Sequence, residues 1–176
     1  MNEPTKRILV TYASRNGSTA RVAEAIGICL ASNGAKVDVL PMVAVINLNS
    51  YRAVVAGSAI HGSNWLPEAL VFIRKNQPLL AEMPFAIFTV SITMGMTNAE
   101  DLRSEVTSWV QPVRELVKPF SEGHFAGKLD LSKQPANLET LKLRTMVALG
   151  VFPNDDRRDW VAIRNWADGL KSGLEL

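Results

Sequence analysis

Ser14, Asn16, Ser18 and Thr19 crowd one short stretch of this 176-residue chain, with Gly17 among them. Hydroxyls and a carboxamide around a glycine that lets the backbone come close suit an anion. The free amides at the start of a following helix would point at the same place. The chemistry this favours is the holding of one terminal phosphate. Arg15, inside the turn, has two readings: a countercharge for that phosphate, or a solvated surface arginine. The turn lacks the Gly-Lys-Ser/Thr ending that takes a nucleoside triphosphate, and it lacks the Gly-x-Gly-x-x-Gly of a dinucleotide site. A monophosphate remains. His61 and His124 lie far apart and Cys29 is the single cysteine, so no metal-ligand cluster is expected, and no nucleophilic triad is visible. The demanding chemistry would then belong to a bound cofactor.

The elements that must position this turn can be read on either side of it. Ile8 to Ala13 is an apolar, strand-like run, and from about Ser18 to Ser32 Val22, Ala23, Ile26 and Leu30 recur at helical spacing up to the stop at Asn33-Gly34. Further strands are predicted at Lys36 to Leu40, Ala53 to Gly57, Phe85 to Ser91 and, more weakly, Gly123 to Leu129. One helix is expected to begin near Pro67 and to end at Pro78. Another carries Leu102, Val106, Trp109, Val113 and Leu116, begins at a Thr97/Glu100 capping box and bends at Pro112. A closing helix carries Trp160, Ile163, Trp166 and Leu170, with Asp155, Asp156 or Asp159 as its cap. Strands alternating with helices imply right-handed crossovers and a parallel sheet covered on both faces, so the fold class is α/β. The expected organisation is a single domain over 1–176 with an insertion at about 130–154.

Composition narrows the function classes. A net charge of +2 lacks the large basic excess of a nucleic-acid binder. The longest uncharged run, Met83 to Ala99, is interrupted by Pro84, Gly95 and Asn98, and a spanning helix needs about 20 mostly apolar residues. No transmembrane segment is expected. The N-terminal residues lead straight into the first strand without an apolar leader, so a cytoplasmic location is expected. Cys29 falls in an apolar helical pattern and reads as a small core residue.

The run Ser14-Arg15-Asn16-Gly17-Ser18-Thr19 resembles the flavodoxin phosphate loop, in which a hydroxyl-rich turn with one glycine holds the phosphate of flavin mononucleotide (FMN). This resemblance implies a flavodoxin-like doubly wound five-stranded parallel sheet of order 2-1-3-4-5, with FMN bound without a covalent link at the switch point. Gly57-Ser58-Ala59-Ile60-His61-Gly62 lies where flavodoxins place the first ring-flanking loop, and Ser91 to Asn98 corresponds to the second. The implied ring contacts are Ile60, His61, Gly62 and Trp65, then Ser91, Ile92, Thr93, Met94 and Gly95. His61 stands where many flavodoxins carry a stacked aromatic; it is either a neighbour of the ring or a solvent-facing loop histidine. Trp65 either flanks the ring or packs in the core. The second loop lacks the tyrosine common in flavodoxins and offers instead an apolar, pliable wall that includes Met94 and Met96.

Electron-shuttle flavodoxins are typically strongly acidic, which this chain is not. It is more similar to the flavodoxin-domain family of menaquinone-dependent protoporphyrinogen oxidases. The similarity rests on Gly57-Ser58-Ala59-Ile60 with Trp65 and Glu68-Ala69, on Phe125-Ala126-Gly127-Lys128-Leu129, on Arg158-Asp159-Trp160 with Ile163 and Trp166-Ala167, and on the insertion. It implies an oxidoreductase taking hydrogen from a porphyrinogen onto FMN and passing electrons to a quinone. The alternatives are a non-enzymatic electron-transfer flavodoxin serving a redox partner and a flavin-free binding or scaffold domain. Within the insertion, Leu138 to Leu149 reads as an amphipathic helix with cationic positions. It would lie on the inner face of a membrane, bind a partner or cover the flavin; the plainer reading is a flank packed on the domain's own core, since Val147, Leu149, Val151 and Phe152 exceed a single apolar face.

Overall fold

Ile8, Val10, Val55 and Phe88 face one side of a sheet, and Leu9, Val54, Phe85 and Ile87 face the other; both sets are buried. A strand whose successive residues are all removed from water can only sit inside a sheet covered on both faces. The computed structural model describes residues 7–174 except positions 33, 97, 134–135 and 153–154. In chain order the elements are β1 (Arg7–Ala13), α1 (Ser18–Ser32), β2 (Val37–Pro41), β3 (Tyr51–His61), β4 (Asn64–Trp65), α2 (Pro67–Ala81), β5 (Phe85–Ser91), α3 (Ala99–Ser108), α4 (Gln111–Arg114), β6 (Ser121–Ala126), α5 (Leu138–Ala148) and α6 (Trp160–Gly169). Five strands pair in parallel in the order β2-β1-β3-β5-β6, and β4 folds back antiparallel on β3. With β4 set aside this is the expected order, and the α/β class stands.

One core layer joins α1 and α6 to the sheet through Val22, Ile26, Leu30, Ile163 and Leu170. The other sets α2, α4 and the chain before β3 against the opposite face through Leu48, Leu66, Ile73, Val110 and Val113. Cys29 lies in the first layer, where burial pushes its thiol up and Asp168, 3.3 Å from Sγ, adds to the shift. A thiol held protonated in this way is a poor nucleophile.

Four local expectations need correction. The stretch from Ser58 to His61, expected as a loop, continues the strand beyond Gly57: Ser58 and Ala59 pair with Thr89 and Val90, and Ile60 and His61 pair with Trp65 and Asn64. Gly62 and Ser63, both at positive φ, make the tight turn, as a two-residue hairpin with native twist requires. Pro78 does not end α2, which runs on to Ala81; a proline so near the C-terminus removes little of the ladder, and burial of Leu80 holds the last turn. Pro112 breaks the next helix rather than bending it, so α3 stops at Ser108 and Pro112 lies in the first turn of α4, where its missing N–H costs nothing. The last strand spans Ser121–Ala126 and stops short of Gly127 to Leu129. Position 97, and with it the Thr97 capping box, lies outside the described residues; Glu100 pairs with Arg103 at 2.8 Å. Of the three candidate caps for α6 the structure uses Asp159, whose Oδ1 accepts from the N–H groups of Val161 and Ala162.

Candidate functional site

A parallel sheet whose chain leaves the centre in opposite directions opens a crevice at the carboxyl ends of its strands. Here that point lies between β1 and β3, and a cleft of about 610 Å³ occupies it. The turn after β1 contributes Arg15, Asn16, Ser18 and Thr19. The β3–β4 hairpin contributes Ile60, His61 and Gly62, and the end of β5 with the following turn contributes Ser91, Ile92 and Thr93. Ten of the residues singled out in the sequence are thus brought to one cleft.

Within the turn each group has a distinct task. Ser14 Oγ accepts from the Gly17 N–H at 3.1 Å, which closes the turn on itself and turns Ser14 inward. Gly17 sits at φ +82, and a side chain there would be strained although the space around it is open. Ser18 Oγ accepts from the Lys128 N–H at 3.0 Å and so ties the chain leaving β6 to the first residue of α1. Thr19 is buried, and its Oγ1 has no hydrogen-bond partner among the described residues. An orphaned hydroxyl at the N-terminus of a 15-residue helix, on the wall of a cleft, fits a bound acceptor such as a phosphate oxygen. The Arg15 guanidinium is turned onto Glu68 of α2, with two contacts of 3.1 Å.

Trp65 is not on the cleft wall. It is 1% exposed, packs in the core with Leu66 and Ile73, and its indole N–H donates to Thr89. Met94 and Gly95 are also outside the cleft lining: the Met94 N–H lies 3.3 Å from the Ser91 hydroxyl, and Gly95 faces the Arg157 side chain. His61, exposed on the hairpin, stays on the wall.

The wall also holds residues that sequence reasoning did not select. Ala59 and Val90 continue it along β3 and β5, and Gly127, Lys128 and Leu129 follow β6; the rule that ligands gather at strand carboxyl ends could have found these last three. Asn137, Thr140, Leu143 and Phe152 come from the insertion, which therefore lines the same cleft as the β3–β4 hairpin and the β5 turn. Asn137 Oδ1 accepts from the Thr140 N–H at 2.8 Å and caps α5 at the cleft edge. Backbone pairing of Lys128 with Asp156 brings the two ends of the insertion together, and the Arg158 guanidinium holds the Asp156 carboxyl below the usual carboxylate range. Among the described residues no cluster of metal ligands occurs, and no helix is long and apolar enough to cross a membrane.

The family model for the flavodoxin domain matches residues 9–148. Solved flavodoxin structures share the fold, three of them as follows. A short-chain flavodoxin associated with a non-canonical PDU bacterial microcompartment is 13% identical, with 96% of this chain and 99% of that one covered and a TM-score of 0.61. A flavodoxin of Streptococcus pneumoniae is 15% identical, with 94% and 97% covered and a TM-score of 0.55. A variant flavodoxin of Pseudomonas aeruginosa is 12% identical, with 90% and 99% covered and a TM-score of 0.52. No curated protein sequence matches the chain.

Proposed function

The chain belongs to the flavodoxin-domain family, whose cofactor is FMN, and we propose that it is an FMN-dependent oxidoreductase of the protoporphyrinogen-oxidase type. Bound FMN would accept hydrogen from a reduced substrate and pass electrons to a quinone. Asn16, Ser18, Thr19 and the backbone of Gly17 hold the phosphate, and Ser14 shapes their turn. Ile60, His61 and Gly62 border the ring from the hairpin side; Ser91, Ile92 and Thr93 border it from the β5 side.

The observation that carries the enzyme reading is the fourth wall. Thr140 and Leu143 of α5, with Phe152, line the same cleft as the phosphate turn, so the insertion belongs to the site rather than to a remote surface. Its apolar side chains exclude water and suit a flat, largely apolar substrate beside the ring. The outer side of α5 exposes Leu138, Leu141 and Leu149 beside Lys142 and Arg144, a combination suited to an anionic lipid surface, in which a quinone dissolves. In this reading the chain acts as one unit over 1–176, with the insertion at 130–154 as lid and membrane contact.

The test begins with the visible spectrum of the protein purified with excess FMN. A retained yellow chromophore is expected, and its absence would leave the flavin-free scaffold reading. Anaerobic reduction of the bound flavin by protoporphyrinogen, with reoxidation by menaquinone, then examines the enzyme. Failure there, with ready reduction by a ferredoxin-type reductase, would make the protein an electron shuttle.

A further inference from the structure

We propose that Lys128 supplies the countercharge for the FMN phosphate, an inference that rests on the phosphate reading above. The residue is fixed from two sides. Its N–H donates to Ser18 Oγ at 3.0 Å, and its backbone pairs with Asp156. The residue is exposed and lines both the ring cleft and a second cleft of about 370 Å³ that Gly17 and Arg21 also line. Asn16 and Ser18 line the same two spaces, so these three residues form the partition at which the phosphate reading puts the anion.

The other cations around the turn are already engaged. Arg15 pairs with Glu68 and Arg21 with Glu24, and Arg158 pairs with Asp156 while stacking over Trp160 at 4.6 Å. Asp130, on the wall of the second cleft, accepts from the N–H and the hydroxyl of Ser132. Among the described residues Lys128 makes no ion pair within 4.0 Å; its charge acts at longer range on Asp156, which Arg158 already pairs. A phosphate monoester carries about −1.5 to −2 charges at pH 7, and helix amides with hydroxyls supply only partial positive charge. An ammonium answers that charge as a point charge, without the fixed fork geometry of a guanidinium. The buried, unpartnered Thr19 Oγ1 on the same wall gives the phosphate a hydrogen-bonding partner beside it.

The test titrates FMN and riboflavin separately into the full chain, followed by flavin fluorescence, for the wild type, Lys128→Ala and Lys128→Arg at low and high salt. Lys128→Ala is expected to weaken FMN about tenfold, equivalent to about 1.4 kcal/mol, and to leave riboflavin within about twofold. It should also flatten the salt dependence of FMN binding, and Lys128→Arg should restore most of both. Equal loss of FMN and riboflavin in Lys128→Ala, or loss of neither, overturns the inference while the phosphate reading stands. A wild type that fails to distinguish FMN from riboflavin overturns the phosphate reading, and the inference falls with it.

Discussion

The indole N–H of Trp65 donates to the hydroxyl of Thr89 at 3.1 Å, with both side chains closed off from water. The two-residue strand β4 is thereby anchored to the centre of the sheet, and with it the hairpin whose Ile60 and His61 line the cleft. Thr89→Val removes the acceptor and leaves a buried N–H unpaired. Urea unfolding should show a loss of about 1–3 kcal/mol, with FMN affinity retained. A fall in affinity with unchanged stability would return Trp65 to the ring.

Thr19 and Gly17 contribute differently to the phosphate turn. Thr19→Ala removes the orphaned hydroxyl, and FMN should weaken by about 1–2 kcal/mol while riboflavin holds. Gly17 has open space but φ +82, so Gly17→Val should cost about 1–2 kcal/mol of backbone strain and lose FMN selectively. Gly17→Asn, which accepts that conformation more readily, should fall between the two. Paired titrations with FMN and riboflavin separate these outcomes; equal weakening of both ligands would put the phosphate elsewhere.

The turn after β1 was legible because its residues are neighbours in sequence and the Ser14–Gly17 contact that closes it is local. The α/β class followed from alternation of apolar runs and helices, whereas the strand order came from the resemblance to flavodoxins. Reading failed where tertiary contacts overrode local cues. Ser58 and Ala59 look like turn residues, yet pairing with Thr89 and Val90 extends the strand through them. Lys128 was visible only as part of a family motif at the end of a weakly marked strand, and Phe152 carries no local mark of a site; they reach the cleft through the closure at Ser18 and the fold of the insertion.

Gly57 sits opposite Phe88 in the β3–β5 ladder, and a Cβ at Gly57 would lie 2.0 Å from the Phe88 ring. Phe88 is fully buried, with Trp166 edge-on at 6.3 Å, so the ring has little room to give. Gly57→Ala should cost about 1–3 kcal/mol by overpacking. Phe88→Leu in the same chain should recover part of that loss, which a double-mutant cycle by chemical denaturation would measure.

His124 on β6 links stability to pH. Burial holds its imidazole below the ordinary value; Glu122 at 3.6 Å opposes this, while Arg114 and Arg103 reinforce it. The unfolded chain takes up a proton near pH 6.5, where the native imidazole resists it. Its contribution is therefore complete above that pH and is lost as pH falls from there toward the depressed native value. His124→Gln should flatten the fall in urea midpoint between about pH 7 and pH 5 relative to the wild type. Parallel slopes would show that other groups carry the acid sensitivity.

The insertion has one side on the cleft and one exposed, and a single deletion tests the role proposed for each. Thr140, 5% exposed, and Leu143 face the cleft, while Leu138, Leu141 and Leu149 are 67%, 60% and 74% exposed. Such an outer side, flanked by Lys142 and Arg144, gains by burial in an anionic lipid surface, at about 0.8 kcal/mol per buried methylene. Replacing 138–149 by a Gly/Ser linker should abolish flotation with anionic vesicles while neutral vesicles bind neither form. The same deletion should speed iodide quenching of the bound flavin, because it removes a wall of the cleft. Lost flotation with unchanged quenching would leave α5 as a membrane contact alone; faster quenching with flotation unaltered would leave it as a lid.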